Sequence, residues 1–98
     1  MKSIIQEDRE HCFICGSRAN GDPLDEHHVY GGANRNNSER YGLKVYLHHN
    51  KCHIFGKQSV HQNAEVGKKV KAVVQQKAMR YYGWTEDDFR CIFGKSYL

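Results

Sequence analysis

The 98-residue chain has room for one domain with a small core, because chains of this length bury only about 60–65% of the surface they expose when unfolded. It is 39% hydrophobic and 27% charged with a mean hydropathy of −0.81, and no run nears the ~18 apolar residues of a membrane helix. Membrane-spanning classes are excluded, and the early charge in Met1-Lys2-Ser3-Ile4-Ile5-Gln6 argues against a secretion signal. A single proline and mixed charge argue against a disordered linker, and the net charge of +4 is permissive for an anionic partner.

Taken in chain order, residues 1–10 are polar and read as a frayed lead-in. Cys12-Phe13-Ile14-Cys15 follows, then Gly16 and a loop of turn residues over 16–25. Glu26–Tyr30 is short, partly β-branched and aromatic, and predicts a strand; Gly31–Arg40 predicts a polar loop. Leu43–Leu47 alternates and predicts the second strand. Asn63 as N-cap, Glu65 in the first turn and Gly83 as C-terminal residue frame a long helix. Its apolar stripe is Val66, Val70, Val73, Val74, Ala78 and Tyr81, with Lys68, Lys69, Lys71, Lys77 and Arg80 off the stripe. Thr85 and Asp88 have the spacing of a capping box for a last short helix that Gly94 ends. Cys91, Tyr41, Tyr46, Trp84 and Tyr97 are expected in the core. The expected class is a small α+β fold in a single domain, 1–98, with a motif-bearing part over 12–63 and a helical part over 64–98.

The four cysteines and seven histidines carry the chemistry. Without a secretion signal, Cys12-x-x-Cys15 is half of a metal knuckle rather than a disulfide. The later pair His49-x-x-Cys52 repeats the spacing, so Cys12, Cys15, His49 and Cys52 are the expected ligands of a structural Zn²⁺, with His48 as the alternative to His49. A redox CxxC is the weaker reading, because no strand–helix–strand unit surrounds Cys12. Among the cations, Arg35, Arg40, Lys68 and Lys69 are candidates for DNA phosphates.

The order of strand, loop, strand and turn, with histidines at both ends, is the layout of a ββα-metal site. On Cys12-x-x-Cys15, His27-His28-Val29, Gly31-Gly32 and the pair ending in Cys52-His53, the chain resembles the HNH (His-Me finger) endonuclease family. The texts Gly31–Leu43, Gln76–Trp84 and Phe93–Leu98 are similar to small phage and prophage members. The resemblance implies a zinc-stabilised ββα-metal domain that hydrolyses DNA phosphodiester bonds with one divalent ion. It makes His28 the general base, His27 a metal ligand and His53 or His61 the second ligand. Asn37, or Asn34, stands for the asparagine that orients the base. Imidazole ligands suit Mn²⁺, Ni²⁺ or Zn²⁺ better than Mg²⁺ as the catalytic divalent metal, and Asp25 or Glu26, if turned inward, is the carboxylate alternative to His27. The implied setting is the cytoplasm of a bacterial host, with double-stranded DNA as substrate and a second copy, or a phage or host protein, as further partner. The reading from a different class is a zinc-stabilised nucleic-acid-binding or protein-interaction module that keeps this layout without catalysis.

Overall fold

A two-stranded antiparallel sheet lies at the centre of the chain. In the computed structural model, which describes residues 1–98, β1 (Leu24–His28) pairs with β2 (Lys44–His48). Leu24 lies opposite His48 and His28 opposite Lys44. The first strand begins at Leu24 rather than Glu26 and stops at His28 rather than Tyr30. Tyr30 turns inward instead: its amide donates to Ser38 Oγ and its hydroxyl to the Lys71 carbonyl at 2.6 Å.

Side chains alternate along a strand. Asp25 and His27 therefore share one face of β1, while Glu26 and His28 share the other. That parity separates the two halves of the candidate site.

A two-stranded sheet is marginal alone, and burial of all five β2 residues requires cover on both sides. One cover is the N-terminal segment, which is not frayed. Ser3 Oγ donates to the Lys44 carbonyl at 2.5 Å, Ile4 N–H donates to the Gly42 carbonyl, and Gln6 Oε1 accepts the Tyr46 amide. This strap satisfies backbone groups on the outer edge of β2 that an open edge would leave exposed.

The loop expected over 31–40 holds a short 3₁₀ turn (Gly32–Asn34) and a helix, α1 (Arg35–Arg40). Its text, Arg-Asn-Asn-Ser-Glu-Arg, has no apolar period to reveal it. What fixes it is polar: Ser38 is fully buried and its hydroxyl donates to the Leu43 carbonyl at 2.6 Å.

The two C-terminal helices form where their caps predict. In α2 (Ala64–Tyr82), Asn63 accepts the amides of Glu65 and Val66; in α3 (Glu86–Phe93), Thr85 and Asp88 form the reciprocal capping box. The buried stripe of α2 is Val70, Val74, Gln75 and Ala78, so it is rotated from the expected one, and Val73 and Tyr81 face solvent. Gln75 takes a core position because the tail satisfies it: Nε2 donates to Ser96 Oγ, and Oε1 accepts the Tyr97 amide. Tyr46 is buried, and Tyr41, Trp84 and Tyr97 pack against the core as expected. Cys91 does not. On α3 the helical period buries Phe89 and Phe93, which turns Cys91 outward to solvent. No helix is long and apolar enough to cross a membrane.

Candidate metal centres and cleft

Residues Cys12, Cys15, His48 and Cys52 converge, with all their ligand atoms within 4.8 Å of one another. The Cys12–Cys15 knuckle closes because Gly16 adopts φ +76° and returns its amide to the Cys12 carbonyl at 2.9 Å. His48 Nδ1 lies 3.3 Å from Cys15 Sγ and 3.9 Å from Cys52 Sγ. For a tetrahedral zinc with ordinary Zn–S and Zn–N bonds, a sulfur–nitrogen separation of roughly 3.6 Å is expected, and the two distances bracket it. The far ring nitrogen of His48 donates to the Arg18 carbonyl at 2.7 Å, which leaves Nδ1 as the lone pair facing the sulfurs.

Burial opposes ionisation of Cys15, but hydrogen bonds from Ser17 and the neighbouring thiols hold it down to about 6, toward the thiolate a metal requires. Burial and the Cys12 thiol push Cys52 up. These residues can hold a structural metal such as zinc.

The ligand from the second pair is therefore His48, not His49. His48 ends β2 and is buried, whereas the His49 ring turns to the other side and donates to Asp25 Oδ2 at 2.5 Å. A two-residue spacing by itself does not distinguish these neighbours. The backbone decides: a six-residue π-type turn (His49–Ile54) follows β2 and brings Cys52 back beneath His48.

The same turn presents His53 to a second cluster. The rings of His27 and His53 are 4.9 Å apart, those of His53 and His61 4.9 Å, and those of His27 and His61 5.9 Å. Their ligand nitrogens lie within 4.8 Å of one another, close enough to share one ion.

His53 and His61 are thus joint members, not alternatives. After the turn the chain doubles back, with Val60 N–H donating to the Cys52 carbonyl and His61 N–H to the His53 carbonyl. Gly56 permits this reversal, since a Cβ there would stand 1.9 Å from the Lys51 carbonyl oxygen. Burial, with the neighbouring charges of His53 and His61, holds His27 down to about 3, and burial also lowers His61. Both shifts favour the neutral rings that metal binding uses. Asp25 accepts the Nδ1 proton of His53 at 2.8 Å and so turns Nε2 of that ring away from itself. Asp25, expected only as a carboxylate alternative to His27 at the metal, orients His53 instead. Its signal is the period of the strand, which sets it beside His27 on one face.

His28 lies on the opposite face of β1 but at the strand end, and it lines the same cleft as His27, His53 and His61. The cleft has a volume of about 430 Å³ and is lined by two cations, Arg35 from α1 and Lys71 from α2. Of the expected phosphate-binding residues only Arg35 lines it. The Arg40 guanidinium stacks 5.8 Å from the Tyr41 ring centre, and Lys68 and Lys69 are exposed on α2 outside the cleft. Lys71, half-buried next to Val70, also lines the cleft, and its ammonium lies 5.3 Å from the Tyr97 ring centre.

The asparagines expected near the base are elsewhere. Asn37 Nδ2 donates to the Ile92 carbonyl and Asn34 Nδ2 to the Phe93 carbonyl. They satisfy two of the carbonyls that the last turn of α3 leaves without a helical partner. Around His28 the structure gathers Glu26 and Glu39 instead. The N-terminal ammonium, Lys44 and His28 together hold Glu39 down to about 2.

Compared with protein-family models, with curated proteins and with solved structures, the chain finds no match.

Proposed function

We propose that this protein is a metal-dependent endonuclease of HNH type that hydrolyses phosphodiester bonds in duplex DNA. One observation carries the reading: three imidazoles from β1, the π-type turn and the loop before α2 bring their ring nitrogens within 4.8 Å of one another, with a fourth imidazole, Arg35 and Lys71 in the same cleft. Phosphodiester hydrolysis needs a base for water, a charge sink for the phosphate and support for the leaving oxygen. His28 fills the first role, taking the proton of the attacking water. Arg35 and Lys71 are the cations of the cleft that would pair with the phosphate. His27, His53 and His61 are the residues to hold a catalytic divalent ion, which when bound supplies a Lewis acid at the phosphate and at the departing 3′ oxygen. Asp25 keeps His53 in its metal-binding tautomer. The Cys12–Cys15–His48–Cys52 site holds the turn that carries His53, so its structural zinc supports the geometry and takes no part in the reaction.

A second reading has one observation in its favour. The asparagine of the family pattern is engaged with α3 rather than with His28, as suits a nucleic-acid-binding module that has lost catalysis. Nicking of supercoiled plasmid in a panel of Mn²⁺, Ni²⁺, Mg²⁺ and Zn²⁺ separates the two. The endonuclease reading expects relaxed and linear products with Mn²⁺ or Ni²⁺ above those with Mg²⁺. Plasmid bound but uncut with every metal supports the module.

A further inference from the structure

Beside His28 stand two carboxylates, Glu26, which lines the cleft, and Glu39, which does not. His28 Nε2 lies 3.3 Å from Glu39 Oε1, on the helix α1. Glu39 is itself held by Lys44, whose ammonium sits 3.3 Å from Oε1 and 3.0 Å from Oε2, and which also reaches Glu26 at 3.3 Å. Lys44 is the cross-strand partner of His28, and its side chain is only 5% exposed. An ammonium this buried is tolerated only when paired, and the two carboxylates pair it. Glu26, His28 and Glu39 resemble a set of metal ligands by residue type and spacing, but the ammonium of Lys44 already fills the place between the carboxylates. The cluster is a relay of positions, running from buried lysine to carboxylate to imidazole.

We propose that Glu39, anchored by Lys44, is the positioning residue for His28: its carboxylate accepts the Nε2 proton and leaves Nδ1 as the free lone pair of the ring. An ionised carboxylate can only accept, so this contact requires the proton on Nε2. It also limits rotation of a ring whose side chain is 12% exposed. The role is the one the family gives to an asparagine, moved here to α1 while Asn37 serves α3. The inference rests on His28 being the general base only for its effect on cleavage; the orientation itself is a property of the folded chain.

Two measurements test it. In the zinc-saturated chain with ¹⁵N-labelled histidine, the Nε2 proton of His28 should exchange slowly enough to be seen in the wild type. It should remain in Glu39→Gln, which keeps an acceptor oxygen, and be lost in Glu39→Ala with the zinc retained. In plasmid cleavage, Glu39→Ala should lower kcat on the order of 10- to 100-fold, the usual cost of losing such a supporting contact, with KM unchanged. Glu39→Gln should recover most of that loss. An unaltered His28 proton signal in Glu39→Ala, or an unaltered kcat in a chain that cleaves, overturns the proposal. Loss of the signal in a chain whose wild type cuts nothing upholds the orientation and removes the endonuclease reading instead.

Discussion

The carboxylate of Asp25 accepts the Nδ1 proton of His53 at 2.8 Å. Asp25 stands on the same face of β1 as His27, so a single strand supplies both a ring of the candidate metal cluster and the group that orients another. Removing the carboxylate frees His53 to rotate and to change tautomer. Asp25→Ala should weaken Mn²⁺ or Co²⁺ binding at the cleft about 10- to 100-fold, the usual cost of losing such a partner. The zinc content of the cysteine site should stay the same. Titration calorimetry on the zinc-saturated protein checks both, and undiminished affinity would show that Asp25 only shapes the surface.

The two adjacent histidines after β2 should behave differently. His48→Ala removes a buried member of the Cys₃His set, in which only Cys15 is exposed, and structural zinc sites supply folding energy directly. It should yield protein that loses zinc on dialysis and melts without cooperativity, as should Cys12→Ala. His49→Ala should retain one equivalent of zinc and a cooperative transition. Metal analysis with thermal melting distinguishes them, and the opposite pattern would restore His49 as the ligand.

Asn37 joins α1 to α3 and bonds the Ile92 carbonyl rather than His28. Asn37→Ala removes one partly buried hydrogen bond, worth about 0.5–1.5 kcal/mol, which for a domain of this size lowers Tm by roughly 2–12 °C. Cleavage per folded molecule should be unchanged when measured well below the new Tm. A selective loss of kcat with Tm intact would place Asn37 back beside His28.

Elements with a local signature were legible in the sequence; those fixed by distant partners were not. Asn63, Thr85 and Asp88 announce the two helices because a cap is made by residues three apart at most. The Cys12–Cys15 knuckle is legible for the same reason. Helix α1 is not, since its stability comes from Ser38 bonding Leu43 and from Asn34 and Asn37 bonding α3 far along the chain. The choice of His48 over His49 depends on the direction in which the strand leaves the sheet. The stripe of α2 was misplaced by a rotation because Gln75 reads as polar until its partners in the tail are known. His27, His28, His53 and His61 are all legible in the sequence, but that His53 and His61 meet in one cluster follows only from the chain reversal at Gly56. Glu39 and Lys71 carry no motif, and their places beside His28 and in the cleft become visible only in the folded chain.

The histidine cluster also sets a pH dependence. An unfolded His27 takes a proton as pH falls through 6.5, whereas burial keeps the folded ring neutral down to about 3. Between these values the unfolded chain binds more protons, so this group's contribution to stability is whole above about pH 6.5 and declines as pH falls toward 3. With the cleft free of metal and the cysteine site saturated, the urea midpoint should be lower at pH 5 than at pH 7.5. His27→Gln should show a shallower decline than the wild type over the same range. Equal slopes would mean that His27 is protonated in the folded chain well above pH 3.

In the proposed mechanism His28 takes the proton of the attacking water, and the rate of plasmid nicking in Mn²⁺ by wild type and by His28→Ala reads that role. The variant should keep its zinc, its fold and its DNA affinity while cleavage falls at least about 100-fold, the loss expected on removing a general base. A His28→Ala protein that nicks at the wild-type rate would contradict it, as would a folded, metal-supplied wild type that leaves the plasmid intact.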